Sequence, residues 1–271
     1  MRFAVPLAAV LLATLATSAD ADAAPKRARS RRPGVARKAR AEAAGPKAWC
    51  APEVKELSDH TCYAEGSPGP EGRKTLVIYL HGVYAATPGF AWLQQRAMAL
   101  HAKRHGFTVL LPTAPRTSWG YGWPTSQAAQ KEHEATVLAG IERSRSDLEA
   151  RLGRKFDETF VVGFSSGAYY ASSLAVRGAL DVDGYIVLAG GSSWARGEPT
   201  RRAPVFVGVS TRDRQTVAHS RGFANTLAAL KWPFRVEERP AGHEVDWTFM
   251  AHGISWLRAK KGPPAQAHRP S

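Results

Sequence analysis

The chain has 271 residues, of which 44% are hydrophobic and 22% charged, a balance typical of a globular protein long enough to bury a full core. This composition excludes wholesale disorder, a collagen and a multi-span membrane protein, and two cysteines are too few for a four-cysteine zinc site. The net charge of +14 comes mainly from the ends, because residues 48–257 hold 23 basic and 20 acidic side chains. We therefore expect no specific nucleic-acid partner for the folded body.

The N-terminus has the pattern of a secretory signal peptide. Arg2 precedes an apolar run over residues 3–17, and two A-x-A sequences follow at residues 19–23. A signal peptide over residues 1–24 predicts a secreted or periplasmic protein. The alternative is an uncleaved anchor, but 15 apolar residues fall short of the ~20 that span a bilayer, so the mature chain is predicted not to be transmembrane.

Two basic segments flank the predicted domain. Residues 25–47 contain nine Lys or Arg and one acid without apolar periodicity, which predicts a disordered linker. Residues 261–271 are predicted to be a disordered basic tail. Such segments can contact an anionic cell surface, or they can act only as solvated spacers.

Cys50 and Cys62 lie twelve residues apart at the start of the predicted domain. Export permits a disulfide between them, and the alternative is a pair of free thiols.

Residues 48–260 are predicted to form one α/β domain, because buried strand patterns alternate with helical ones from residue 74 onward. The predicted strands cover residues 74–80, 107–112, 158–164, 184–190, 203–210 and 234–240. The predicted helices cover residues 89–105, 126–152, 167–178, 216–231 and 246–260. This order indicates a mostly parallel sheet with helices on both faces, whose functional residues follow the carboxyl ends of the strands.

Ser165 follows the strand at 158–164 in the sequence Gly163-Phe164-Ser165-Ser166-Gly167. A G-x-S-x-G pattern between a strand and a helix is typical of a nucleophile elbow, in which a tight turn lifts the serine hydroxyl above the sheet. Because only Ser165 is centred between the glycines, it is the predicted nucleophile. Ser166 is predicted to donate its backbone N–H to the oxyanion.

A second oxyanion donor is expected after the strand at 74–80, where His81-Gly82-Val83 allows a sharp turn. The backbone N–H of Val83 is the predicted donor. The side chain of His81 is interpreted as structural, since this role needs only the backbone.

Two further strand ends supply an acid and a histidine. Asp213 comes three residues after the strand at 203–210 and is suited to orient a histidine, although it could be a solvated loop residue. His243 follows the last strand behind a glycine and is the predicted general base. Asp181 and Asp183 are alternative acids, but they precede a strand.

The order Ser165, Asp213, His243 on alternating strands and helices resembles the α/β-hydrolase superfamily. Within it, the chain is similar to secreted esterases of the polyhydroxybutyrate depolymerase, feruloyl esterase and dienelactone hydrolase kind. The sequences LVIYLHGVY, VVGFSSGAYY and AGHEVDW carry the likeness, over about residues 72–258. Dienelactone hydrolases typically use a cysteine where this chain has a serine. The resemblance implies an α/β-hydrolase fold, and no insertion is long enough for a large cap domain.

Four aromatic residues are candidates for a substrate pocket. They follow two predicted strands, and an equally weighted alternative is that they pack the loops onto the body: Trp119, Tyr121, Trp123 and Trp194. No phosphate-binding, dinucleotide-binding or H-E-x-x-H motif occurs, so neither a cofactor nor a metal is expected.

The favoured hypothesis is a secreted serine esterase that cleaves a small-molecule or polymeric carboxylic ester through an acyl-enzyme. The alternatives are a non-catalytic binding protein with the same fold, attached to anionic surfaces, and a serine peptidase.

Overall fold

A computed structural model describes residues 48–262, except for residues 59, 70, 71, 88 and 119. The strands in this part of the chain are β1 (Lys55–Ser58), β2 (Thr61–Ala64), β3 (Thr75–Leu80), β4 (Thr108–Leu111), β5 (Arg116–Thr117), β6 (Gly120–Tyr121), β7 (Glu158–Phe164), β8 (Gly184–Leu188), β9 (Val205–Ser210) and β10 (Phe234–Arg239). The helices are α1 (Trp92–His105), α2 (Gln127–Leu152), α3 (Ser166–Arg177), α4 (Val217–Ala229) and α5 (Trp247–Lys261).

Eight strands form one sheet in the order β1-β2-β4-β3-β7-β8-β9-β10. The six strands from β4 to β10 in this order run parallel, and β2 is antiparallel to both β1 and β4. Every residue of β3, β7, β8 and β9 is buried, as expected for parallel strands that are covered on both faces. The predicted mostly parallel sheet is confirmed.

The helices cover both faces of this sheet. α1 packs against α5 on one face, and α3 packs against β7 and β8 on the other. On the α3 side, the Arg177 guanidinium pairs with Glu134 of α2, and the Tyr169 ring meets His219 of α4. The predicted helices all occur, and no end lies more than three residues from the one expected.

The sequence pattern predicts no strand between Cys50 and the strand at 74–80, but the chain forms the β1–β2 hairpin there. Its residues lack the long apolar run that marks the central strands, and β1 is largely exposed. Cys50 and Cys62 form a disulfide with Cα atoms 5.8 Å apart, so the predicted bridge is confirmed. The bridge ties the chain before β1 to β2, and β2 pairs with β4.

The segment between β4 and β7 holds the small β5–β6 hairpin and α2, and α2 packs against β1. Within the described ranges no insertion forms a separate cap. α5 ends at Lys261, one residue beyond the predicted end of the domain. The predicted signal peptide, the linker at 25–47 and the rest of the predicted tail lie outside the described residues. In the described chain, none of the helices combines the length and apolarity needed to cross a bilayer.

Candidate active site

Ser165 lies between the end of β7 and the start of α3, at the carboxyl edge of the sheet. Its backbone has φ 52° and ψ −117°, a conformation that residues other than glycine rarely adopt. Strained backbone of this kind costs on the order of 1–3 kcal/mol and persists where the surrounding structure demands it. The surrounding fold therefore holds Ser165 in the strained turn that a nucleophile elbow requires.

The glycines on either side of Ser165 are required by close contacts. A Cβ atom added to Gly167 would lie 1.9 Å from the carbonyl oxygen of Leu80. A Cβ atom added to Gly163 would lie 2.3 Å from the carbonyl oxygen of Gly167. These distances are far below van der Waals contact, so β3 and α3 can approach the turn only because both positions lack side chains.

His243 lies in the loop after β10, and its Nε2 atom is 3.1 Å from the Oγ atom of Ser165. The ring packs against Phe164, with the two ring centroids 5.0 Å apart. The imidazole is 38% exposed, so solvent and a substrate can both reach it. The Ser165 hydroxyl can therefore donate to Nε2 while the other ring nitrogen carries a proton.

Asp213 follows β9, and its Oδ2 atom lies 2.7 Å from the Nδ1 atom of His243. The carboxylate is only 2% exposed. Burial by itself raises the pKa of Asp213, but hydrogen bonds from Thr216 and His243 outweigh it, so the net pKa lies below the ordinary value. A buried carboxylate that stays ionised favours the tautomer in which Nδ1 of His243 carries the proton.

Three groups that hold Asp213 were not predicted from the sequence. Its Oδ1 atom accepts hydrogen bonds from the backbone N–H groups of Gln215 and Thr216, at 3.1 and 3.3 Å. The Thr216 hydroxyl donates to Oδ2. An aspartate followed by a threonine three residues later is typical of such local turns, and this signal could have pointed to Thr216.

Asp181 and Asp183, the alternative acids, are used elsewhere. Asp181 pairs with Arg201, and Asp183 pairs with Lys261 and accepts from the backbone N–H of Thr159 near the start of β7. Both precede β8, at the amino edge of the sheet. The structure brings Asp213, and neither of these two, to His243.

Two backbone N–H groups are available beside Ser165. A Cβ atom on Gly82 would lie 3.3 Å from the Cβ of Ser165, so the loop after β3 touches the turn that carries the serine. Val83 is the next residue in this loop, and Ser166 is the first residue of α3. Neither of their N–H groups donates to another described residue. They remain the predicted oxyanion donors.

His81 is a buried structural side chain, as the sequence analysis interpreted it. Its Nε2 atom accepts from the backbone N–H of Ala114 at 3.0 Å, and Nδ1 donates to the carbonyl of Gly82. Its ring stacks on Tyr84, with centroids 3.8 Å apart. Burial lowers the pKa of His81 to about 4, so the ring is neutral and braces the loop that carries Val83.

The four predicted pocket aromatics differ in their surroundings. Tyr121 and Trp123 are 9% and 5% exposed, and the Trp123 indole donates to the carbonyl of His81 at 2.9 Å. This burial favours the alternative interpretation, in which the rings pack the loop onto the body, and their place in a substrate pocket stays a prediction. Trp194 is 37% exposed, and its role in a pocket stays a prediction. Trp119 lies outside the described residues.

No group of three or more His, Cys, Asp or Glu side chains in the described ranges is arranged to hold a metal ion.

Solved structures share this architecture, and two of the three named here are carboxylesterases. The carboxylesterase of Bacillus cereus has a TM-score of 0.53 at 14% identity, over 73% of this chain and 92% of that one. The carboxylesterase of Mesorhizobium loti has a TM-score of 0.53 at 16% identity, over 78% and 100%. YahD with malic acid has a TM-score of 0.51 at 14% identity, over 73% and 97%. No family model and no curated protein sequence matches the chain. The similarity shows the α/β-hydrolase fold that the sequence predicts.

Proposed function

We propose that the chain is a serine hydrolase that cleaves carboxylic esters through an acyl-enzyme. The observation that carries the proposal is the continuous run of hydrogen bonds from Asp213 through His243 to Ser165, on the strained turn between β7 and α3. Three groups in this order match the needs of nucleophilic catalysis, in which a base takes the serine proton and an acid orients the base.

In the proposed reaction, the Oγ atom of Ser165 attacks the ester carbonyl carbon while Nε2 of His243 takes the hydroxyl proton. The imidazolium that forms is stabilised by the ionised Asp213. The negative charge on the former carbonyl oxygen is held by the N–H groups of Val83 and Ser166, and the start of α3 adds its positive dipole end.

Collapse of this intermediate expels the alcohol, which receives its proton from His243 and leaves an acyl group on Ser165. A water molecule then attacks the acyl carbonyl, with His243 as base, and its proton returns to the serine oxygen when the acid is released. Every proton moves through one imidazole, so the mechanism requires His243 to be neutral at the start of each half-reaction.

The test is a matched pair of variants, Ser165→Ala and Ser166→Ala. Ser165→Ala should lower kcat for a soluble p-nitrophenyl ester by about 10³-fold or more and abolish labelling by a fluorophosphonate. Ser166→Ala keeps its backbone N–H and loses only a side-chain oxygen that accepts from the N–H of Trp123 at 3.3 Å, so most activity should remain. An active, labelled Ser165→Ala would contradict the proposal.

We also infer that the protein is exported after cleavage near residue 24. The Cys50–Cys62 disulfide supports this inference, because such bonds persist in oxidising compartments. N-terminal sequencing of the protein recovered from a secreting host is the test, and recovery of an intact Met1 from the cytosolic fraction alone would contradict it.

Contact with anionic surfaces through residues 25–47 is a further part of the proposal, supported by their nine basic side chains. Deleting this segment should weaken salt-sensitive retention on an anionic resin and leave turnover of a soluble ester unchanged.

A further inference from the structure

The backbone N–H of Val83 lies in a loop whose neighbouring N–H groups both have partners. The N–H of Tyr84 donates to the carbonyl of Tyr121 at 3.1 Å. The N–H of Gly82 donates to the Oε1 atom of Gln94 at 3.3 Å. Of these three consecutive N–H groups, only that of Val83 has no partner in the described part of the chain. The loop therefore leaves free the one donor that the predicted oxyanion hole needs.

The direction of the Val83 N–H depends on the peptide that joins this residue to Gly82. Nδ1 of His81 donates to the carbonyl of this peptide. Because a trans peptide is planar, its N–H points away from its carbonyl, so this hydrogen bond helps to orient the Val83 N–H. Glycine has the widest range of backbone conformations, however, and Gly82 can rotate about its own bonds unless the peptide before it is held as well.

The peptide between His81 and Gly82 is held at both of its polar groups. Its carbonyl oxygen accepts from the backbone N–H of Gly167 at 3.1 Å and from the Trp123 indole at 2.9 Å. Its N–H group is the one that donates to Gln94. Gln94 is therefore the side chain that holds the N–H side of this peptide, and without its oxygen the peptide would be held only at the carbonyl.

The Oε1 atom of Gln94 is itself fixed by a buried group. It also accepts from the Tyr79 hydroxyl at 2.6 Å, and Tyr79 is 1% exposed within β3. One oxygen atom thus joins the first turn of α1 to the end of β3 and to the loop that follows it. A donor that is fixed before the reaction stabilises a developing charge without reorganisation, so a rigid support of this loop favours catalysis.

We propose that Gln94 is a positioning residue for the oxyanion hole: its Oε1 atom fixes the peptide before Gly82 and thereby the direction of the Val83 N–H. This inference rests on the proposed ester hydrolysis, because it assigns the loop a role in that reaction. A purely structural role for Gln94, in which it only attaches α1 to β3, predicts a loss of stability with unchanged turnover. The two roles therefore differ in what they predict for kcat.

The test variant is Gln94→Met, which keeps a similar size and loses the oxygen that accepts from Gly82. The matched control is Gln95→Met, at the next position of α1. The buried side chain of Gln95 bonds the N–H of Ala51 at 2.7 Å and the carbonyl of Trp49 at 3.3 Å, so it holds the chain before β1 and not this loop. Urea unfolding of both variants measures their stability.

Two measurements report on the oxyanion hole. Steady-state hydrolysis of a soluble p-nitrophenyl ester gives kcat and KM, and an aryl trifluoromethyl ketone forms an adduct with Ser165 whose charged oxygen occupies the position of the oxyanion. Gln94→Met should lower kcat about tenfold, less than the roughly 10²–10³-fold loss that removal of a donor causes, because His81 still holds the Gly82 carbonyl. KM should change less than about twofold, and the inhibition constant of the ketone should rise about as much as kcat falls.

Gln95→Met should keep kcat within about twofold of the wild-type value, even if it is the less stable variant. Equal loss of kcat in the two variants would show a general effect of destabilisation and overturn the inference. A change confined to KM, or wild-type kcat in Gln94→Met, would overturn it as well. A wild-type protein with no esterase activity and no fluorophosphonate labelling would instead overturn the proposed function, and this inference with it.

Tyr79→Phe is a second variant that keeps Gln94 and removes only the hydroxyl that fixes its oxygen. We expect the same pattern at a smaller size, with kcat and the affinity for the ketone each about threefold lower and KM unchanged. Wild-type values of both in a folded Tyr79→Phe variant would overturn the inference, because the Gln94 oxygen would then need no fixed position.

Discussion

Asp213→Asn is expected to abolish most activity through a change of tautomer at His243. The Oδ1 atom of Asp213 faces two backbone N–H donors, those of Gln215 and Thr216. An amide nitrogen cannot accept from them, so the asparagine oxygen must occupy the Oδ1 position and its NH₂ group the Oδ2 position. That NH₂ group then donates to Nδ1 of His243, which forces the imidazole proton onto Nε2. Nε2 would face Ser165 as a donor and could not accept its proton.

The expected loss in kcat is about 10⁴-fold, the loss that the same substitution causes in another serine triad. It corresponds to roughly 5 kcal/mol of lost transition-state stabilisation. The free energy of unfolding of Asp213→Asn should fall by less, about 2 kcal/mol. The Thr216 hydroxyl can turn to accept from the new amide, so no hydrogen bond is lost there. The bonds that Asp213 accepts are weakened only because the residue no longer carries a charge. Catalysis and stability should therefore separate clearly.

The assay is steady-state hydrolysis of a soluble p-nitrophenyl ester, with urea unfolding of the same samples. Asp147→Asn is the matched control, because Asp147 is an exposed residue of α2 without an ion pair in the described part of the chain. It should retain wild-type kcat. A folded Asp213→Asn variant within tenfold of wild-type kcat would refute the reasoning and show that another group orients His243.

Three further predictions address the groups around this site. Thr216→Val removes the hydroxyl that donates to Asp213. The kcat should therefore fall about tenfold, and the pKa of Asp213 should rise toward its ordinary value. A pH–rate profile measures both effects, and an unchanged profile would exclude Thr216 as a positioning residue. Gly167→Ala forces a Cβ atom against the Leu80 carbonyl and should lower the free energy of unfolding by about 3 kcal/mol. In the control Gly140→Ala, the added Cβ atom would have no atom within 4 Å, so α2 should be stabilised by roughly 0.5–1 kcal/mol. His81 has a pKa of about 4 in the fold, below the value near 6.5 expected when unfolded, so the unfolded state binds its proton first as pH falls. Stability should thus drop between pH 6.5 and 4, with about 3 kcal/mol of the drop due to His81. Urea unfolding of His81→Gln should lose that share of the pH dependence, and an unchanged slope would contradict it.

The order of strands and helices could be predicted from the sequence because each buried parallel strand is a continuous apolar run. The bounds of β7 at Glu158–Phe164 match the prediction, and Ser165 follows directly. The elbow is also local, since its two glycines and its strand and helix lie within twenty residues. The sequence therefore determined the fold class and the residue types and order of the candidate triad.

Other features depend on contacts between distant parts of the chain. The β1–β2 hairpin has a weak local pattern, and it is held by pairing with β4 and by the disulfide. Whether the Trp123 ring faces a pocket or the core could not be read from a glycine-rich loop. The Trp123 indole donates a hydrogen bond to the carbonyl of His81, which lies 42 residues away in the sequence.

The meeting of Ser165, Asp213 and His243 is likewise a product of tertiary structure. His243 is 78 residues from Ser165 in the chain, yet it comes within hydrogen-bond distance because β7, β8, β9 and β10 are neighbours with parallel directions. Local preferences decide which segments become strands, whereas burial of the shared core decides how those strands are ordered. Only that order brings their carboxyl ends to one edge and gives the three side chains a common site.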